Sequence, residues 1–120
     1  MILLDTSVWV NHLRQGNPEV STLLSDGEVV CHPFIIGELA CGNIKNRHEI
    51  LALLHDLPSC PTIEQDEFIA FIEHNQLSGL GLGFVDVHLL ASARLAGIPL
   101  WTADRILARV AEQLHLGGKE

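Results

Sequence analysis

The chain opens with MILLDTS, residues 1–7, and this stretch decides the fold that we predict. Residues 2–4 form an uninterrupted aliphatic run. Such a run is typical of a strand buried on both faces in the middle of a parallel sheet, because a half-exposed strand would alternate polar and apolar residues. The amphipathic segment from Val8 indicates a helix directly after the strand. We therefore expect Asp5 at the carboxyl end of a central strand, the edge where open α/β sheets bind ligands.

Short apolar stretches alternate with amphipathic ones along the rest of the chain. Further strands are predicted at 28–31, 60–63 and 98–101. Helices are predicted from about Val8 and at 19–25, 34–44, 47–57, 65–77, 84–95 and 104–116. This alternation indicates βα units, so we expect an α/β fold with a mostly parallel sheet of about four strands. Right-handed crossovers would then place the carboxyl ends of these strands at one edge.

The composition indicates one compact domain without a membrane segment. The chain has 120 residues, of which 48% are hydrophobic, enough to bury a core and to leave some apolar surface for self-association or a partner. It contains no apolar run of the roughly 18 to 20 residues that span a bilayer, and no basic leader precedes an apolar segment. We therefore expect a cytoplasmic protein.

Charge and cysteine content exclude several classes of function. The net charge of −8 argues against binding nucleic acid by bulk electrostatics, which depends on Lys and Arg. The three cysteines, Cys31, Cys41 and Cys60, lack C-x-x-C spacing. Zinc ribbons and disulfide frameworks are therefore not expected, and small buried thiols are the simplest interpretation.

Four acidic residues stand out by position: Asp5, Glu38, Asp86 and Asp104. Each has an ordinary structural explanation. Asp5 and Asp104 can cap the helices that follow them, and Asp86 suits the dipole at the start of its helix. Glu38 lies in the apolar segment 34–40, where a charge is costly unless it is paired, bound to a metal, or placed on a solvated outer face.

Together, these acids predict a metal site. Asp5 and Asp104 would share one sheet edge, and the helices carrying Glu38 and Asp86 can both reach it. Four carboxylates repel one another, and no Lys or Arg stands at the predicted strand ends to offset them. Mg²⁺ or Mn²⁺ would offset them, since hard divalent cations prefer oxygen ligands. Such an ion can activate water and stabilise the charge that develops on a phosphodiester during attack.

The order of these motifs resembles that of the PIN-domain ribonucleases. Asp-Thr-Ser at 5–7, Glu38 on a helix, Val-Asp-Val-His-Leu-Leu-Ala-Ser-Ala at 85–93 and Thr-Ala-Asp at 102–104 follow one another along the chain. Within this family, the chain is most similar to the VapC-type toxins of toxin–antitoxin pairs. The similarity covers nearly the whole chain, about residues 1–116.

The resemblance implies a single PIN domain over residues 1–120, folded as a three-layer α/β/α sandwich. It implies an endoribonuclease that uses Mg²⁺, or Mn²⁺, and leaves a 5′-phosphate and a 3′-hydroxyl. The implied partners are an RNA substrate, a cognate VapB-type antitoxin and a second copy of the chain in a homodimer. The implied metal ligands and catalytic residues are Asp5, Glu38, Asp86 and Asp104, with Thr6, Ser7 and Thr102 orienting carboxylates and waters around them.

Two positions depart from the family pattern. Ser7 stands where many relatives have Asn, and Arg-Ile-Leu at 105–107 stands where many carry another acid. The second departure leaves open whether one or two ions bind. It also motivates one alternative, a catalytically idle PIN-fold binding module; a DNA-directed metal-dependent nuclease is another. His88, close to Asp86 along the helix, is interpreted as a packing or orienting group rather than a ligand.

Overall fold

A parallel three-stranded sheet organises the protein. The structure is a computed structural model that describes residues 1–118. The strands are β1 (Ile2–Leu4), β2 (Val29–Val30) and β3 (Leu100–Trp101), arranged in the order β2-β1-β3. In this register Leu3 pairs with Val30 on one side and with Leu100 on the other. The predicted central position of the first strand is confirmed.

Seven helices among residues 1–118 complete a three-layer α/β/α sandwich. They are α1 (Thr6–Gln15), α2 (Pro18–Ser25), α3 (Pro33–Ala40), α4 (Arg47–Asp56), α5 (Gln65–Asn75), α6 (Phe84–Ala96) and α7 (Arg105–Gln113). Helix α1 contacts β1 and α3, whereas α6 contacts β3 and α5. Within residues 1–118, every helix is too short or too polar to cross a membrane. The predicted alternation of strands and helices is confirmed.

The expectation of about four strands is wrong by one. The segment predicted as a strand at 60–63 forms no regular strand, and the residue before it, Ser59, makes a single parallel bridge with Cys31. Pro58 and Pro61 flank this bridge and lack N–H donors, so the segment cannot extend a regular ladder. The bridge still adds two hydrogen bonds to the sheet edge, from the Cys31 N–H to the Pro58 carbonyl and from the Cys60 N–H to the Cys31 carbonyl.

The end of α3 also differs from the prediction. The helix was expected to reach residue 44, but it ends at Ala40. The Arg47 guanidinium donates hydrogen bonds to the carbonyl oxygens of Ala40 and Gly42, which satisfies acceptors that a longer helix would have used internally. The chain thus turns away after α3 and begins α4 at Arg47.

The core surrounds β1, whose residues Leu3 and Leu4 are inaccessible to solvent. Two of the three cysteines, Cys31 and Cys60, are buried free thiols as expected. Cys41 is exposed, so the prediction of a buried thiol is wrong there. Its position directly after α3, where the chain leaves the core, accounts for the exposure.

A buried histidine connects the sheet edge to α6. The His32 Nδ1 accepts a hydrogen bond from the Phe34 N–H at 3.0 Å and thereby caps α3. This leaves the ring proton on Nε2, which donates to Ser92 Oγ at 3.0 Å. Burial, with a smaller effect from nearby His88, lowers the pKa of His32 to about 4. His32 is therefore neutral in the folded protein at neutral pH.

The pKa of His32 predicts a pH-dependent stability. Its pKa is about 4 when folded and 6.5 when exposed, so the unfolded chain binds the proton more readily between these values. The free energy of unfolding should fall as pH drops from 6.5 toward 4, with His32 contributing about 3 kcal/mol of that loss. Urea denaturation across this range measures it.

His32→Asn is the matched variant for this measurement, because Asn can accept the Phe34 N–H bond but does not titrate. Its unfolding free energy should change less with pH over this window than that of the parent. Equal slopes for the two proteins would contradict the assignment.

Candidate active site

The Asp5 carboxylate is the most enclosed group at the carboxyl edge of the sheet. Only 6% of the residue is exposed. Its Oδ2 accepts two hydrogen bonds of 2.7 Å, one from Ser7 Oγ and one from Thr102 Oγ1. Although Asp5 precedes α1, its side chain makes no capping hydrogen bond. The ordinary capping explanation therefore fails for Asp5.

Two backbone groups hold the hydroxyls that bind Asp5. The Ala103 N–H donates to Ser7 Oγ, and the Asp104 N–H donates to Thr102 Oγ1, each at 3.0 Å. Each hydroxyl thus accepts from the loop after β3 and donates to the residue after β1. This network ties the ends of two neighbouring strands together and fixes the orientation of the Asp5 carboxylate.

Glu38 is exposed to solvent on α3, although Ile35 and Leu39 of the same helix are buried. The solvated position that we considered for it is therefore the correct one. Its Oε1 accepts a hydrogen bond of 2.6 Å from Thr6 Oγ1, at the first residue of α1. This hydrogen bond holds Glu38 beside Thr6, which directly follows Asp5 in the chain.

Asp86 and Asp104 both make the helix-terminal hydrogen bonds that their positions suggest. Asp86 Oδ2 accepts from the Gly83 N–H at 2.8 Å, and Asp104 Oδ1 accepts from the Leu107 N–H at 2.9 Å. The ordinary explanations are therefore right for these two residues. Each such bond engages one carboxylate oxygen and leaves the other for a further ligand.

The negative charges of the other three acids all act on Asp86. Partial burial raises the pKa of Asp86, the hydrogen bond from Gly83 opposes this rise, and the negative charges of Asp5, Asp104 and Glu38 add to it. All three other predicted acids therefore lie close enough to repel charge on Asp86. Within residues 1–118, none of the four forms an ion pair with a Lys or Arg.

The donor set fits a hard divalent cation that keeps part of its water shell. In the described part of the chain, no group of three His, Cys, Asp or Glu side chains lies near enough to one point to coordinate a metal ion there. Mg²⁺ does not require such a cage, because it usually binds through one or two carboxylates and retains several waters. Four uncompensated carboxylates are the oxygen donors that such an ion prefers.

An aromatic cluster borders the acids and was not predicted. His88 stacks on Phe68 at 4.4 Å between ring centroids and makes edge contacts with Phe34 and Phe84. Its Nδ1 is buried and has no hydrogen-bond partner among the described residues. His88 therefore packs, as expected. The four-residue spacing of Phe84 and His88 on one helix was the available signal for the cluster.

Comparison with known proteins found matches over most of the chain. The family model for the PIN domain matches residues 2–113. Ribonuclease VapC32 from Mycobacterium tuberculosis, in strains CDC 1551 / Oshkosh and H37Rv, is 46% identical over 114 residues. The alignment covers 93% of this chain and 92% of the relative.

The Asp5 network predicts a specific loss of stability in Thr102→Val. Valine matches threonine in shape but leaves the Asp104 N–H without its acceptor and Asp5 Oδ2 with one donor. The free energy of unfolding in urea should fall by about 1 to 3 kcal/mol. Thr102→Ser, which keeps the hydroxyl, should lose less.

Thr22→Val is the control, since the Thr22 hydroxyl bonds a helix carbonyl at the exposed surface. Its unfolding free energy should stay within about 0.5 kcal/mol of the parent. An equal loss in Thr102→Val and Thr22→Val would mean that the network adds no more to the free energy of unfolding than an exposed hydroxyl does.

Proposed function

The chain belongs to the PIN-domain family, and from this premise we propose that it is a metal-dependent endoribonuclease toxin of the VapC type. The observation that carries the proposal is the crowding around Asp86. The charges of Asp5, Glu38 and Asp104 all act on it, and no cation of the described residues pairs with any of the four. Such a cluster suits a site that binds a divalent ion together with a phosphate.

The proposed metal ligands are Asp5, Glu38, Asp86 and Asp104, and the proposed ion is Mg²⁺, with Mn²⁺ as a substitute. When bound, the ion would supply an activated water and stabilise negative charge on the phosphodiester. The protein would contribute oriented oxygens. Asp5 Oδ1 accepts no hydrogen bond from the described residues, so it is available as a ligand while Oδ2 is held by Ser7 and Thr102.

The hydroxyl groups have positioning roles in this proposal. Thr6 holds one oxygen of Glu38, while Ser7 and Thr102 hold one oxygen of Asp5. Restricting these side chains before substrate arrives reduces the entropy that must be lost on binding. The substrate is RNA, as the name of the related ribonuclease indicates, and hydrolysis would leave a 5′-phosphate and a 3′-hydroxyl.

The proposed inhibitor is a cognate VapB-type antitoxin, and a groove next to the acids suits a segment of it. The groove has a volume of about 570 Å³ and includes Thr6 and Glu38 at its acidic part. Apolar side chains of α1 and α4, Val10, Leu13 and Ile50, form another part of its wall. Arg14 and Lys45 also line the groove. An antitoxin segment with apolar residues and an Arg directed at Glu38 would complement the apolar and acidic parts.

The metal-dependent mechanism predicts loss of cleavage in Asp5→Asn and Asp86→Asn. Each substitution removes a charge that holds the ion, so the rate of RNA cleavage with Mg²⁺ or Mn²⁺ should fall at least about 100-fold, and excess EDTA should abolish it in the parent. Gel analysis of labelled single-stranded RNA, with matched DNA in parallel, measures the rates and the substrate class.

Asp66→Asn is the matched control, because Asp66 lies in the first turn of α5 as Asp86 lies in the first turn of α6. Its cleavage rate should equal that of the parent. Cleavage that persists in EDTA, or in the Asp5 and Asp86 variants, would contradict the metal-dependent mechanism. Preferential cutting of DNA would favour the DNA-directed alternative.

The antitoxin groove predicts that Ile50→Glu resists inhibition. A carboxylate on the apolar wall would be desolvated by the bound segment and would stand near Glu38, so at least about tenfold more antitoxin should be needed to stop RNA cleavage. Leu53→Glu, on an exposed face of the same helix, is the control and should remain fully sensitive. Equal sensitivity of both variants would place the antitoxin elsewhere.

The homodimer implied by the resemblance stays a prediction. Sedimentation of the full chain at micromolar concentration tests it directly, and a single monomeric species would contradict it.

A further inference from the structure

Phe84 is a large apolar side chain that contacts other aromatic rings and is still open to solvent. Its residue is 57% exposed. Its ring stacks with Phe34 at 6.1 Å and contacts Phe68 at 4.9 Å and His88 at 4.6 Å between centroids. Phe68 and His88 are buried, so they support Phe84 from beneath. The result is a braced aromatic ring with accessible surface.

The fold places this ring beside the proposed metal ligands. Helix α3 directly follows β2, so Phe34, in its first turn, lies at the carboxyl edge of the sheet. Helix α6 leads into β3, so its first turn, which carries both Phe84 and Asp86, lies at the same edge. Phe34 is also one helical turn before Glu38 on α3. The ring therefore flanks the acids on the side where α3 meets α6.

The direction of the Phe84 side chain determines where a group stacked on its ring would lie. Residues two apart on a helix point to different sides, so Phe84 does not face the point at which Asp86 would hold a metal. A group stacked on Phe84 would lie to one side of that point. If the scissile phosphate of a single-stranded RNA lay at that point, the base next to this phosphate would lie to one side of it.

We propose that Phe84 is a stacking platform for a nucleobase adjacent to the phosphodiester that is cut. This inference rests on the proposed RNA cleavage and adds the means by which an acidic protein holds its substrate. Stacking on an aromatic ring requires no positive charge and is tolerant of sequence, because every base presents a π-face. It acts on single-stranded RNA, whose unstacked bases are accessible.

The structure favours a platform over a simple packing role. A ring needed for the core alone would be covered, as Phe68 is, whereas most of Phe84 remains exposed. Three of the four phenylalanines of the chain gather in this one cluster. Phe34 and Phe84 are nearly parallel, at 21° between ring planes, so the exposed Phe84 ring extends a stack from the half-buried Phe34 ring.

Fluorescence anisotropy tests the platform with a labelled single-stranded RNA of about 12 nucleotides. The full chain carrying Asp5→Asn is the parent, so that binding is measured without cleavage at constant Mg²⁺ and salt. Phe84→Leu keeps an apolar side chain but removes the aromatic face, and the Kd should rise about 5- to 100-fold. Phe84→Trp, which retains an aromatic face, should bind within about twofold of the parent.

Leu95→Ala is the matched control, because Leu95 lies on the same helix and is 60% exposed. Its Kd should equal that of the parent. In a series of RNAs that each carry one abasic nucleotide at a successive position, one member should bind the parent as weakly as intact RNA binds Phe84→Leu, and the two changes should not add. The weaker binding of abasic RNA by the parent does not depend on how any Phe84 variant folds.

The outcomes separate this inference from the proposed function. If the active chain cleaves RNA with metal, and Phe84→Leu and abasic RNA leave the Kd unchanged, the platform is overturned while the nuclease stands. Failure of the parent to bind or cut RNA would overturn both. An unchanged Kd together with a dimer that dissociates in Phe84→Leu would assign this surface to a second copy of the chain, which also overturns the platform.

Discussion

The hydroxyl network at Asp5 is the interaction on which the candidate site depends. A carboxylate in an almost fully buried position needs donors, and Ser7 and Thr102 supply two to a single oxygen. Both hydroxyls are in turn held by backbone N–H groups of the loop after β3. The sheet therefore does more than support the site, because pairing of β1 with β3 brings the donors to the acid.

The four acids act on one another at an electrostatic cost to the folded chain. The negative charges of the other three add to the rise that burial causes in the pKa of Asp86, and no Lys or Arg of the described residues forms an ion pair with any of the four. Backbone N–H groups from Gly83 and Leu107 stabilise two of the acids locally, which allows the cluster to exist in a folded chain. A bound divalent cation would then supply the compensating positive charge.

The sequence predicted the fold largely because its signals were local. The apolar run at 2–4, the order of strands and helices, and the four acids could all be read from pattern and resemblance. Contacts between distant segments could not. Pattern did not reveal that Thr6 holds Glu38, that Phe34 stacks with Phe84, or that Cys41 is exposed, since these depend on how helices approach one another. The missing fourth strand follows from prolines whose effect on the ladder was underestimated.

The separation of Asp5 from Thr102 along the chain has a consequence for synthesis. The hydrogen bond between them spans 97 residues. A growing polypeptide therefore contains Asp5 and Ser7 long before Thr102, the second hydroxyl that orients the acid, has been added. The centre on the nascent chain therefore stays incomplete until the segment that carries Thr102 has been synthesised and has paired beside β1.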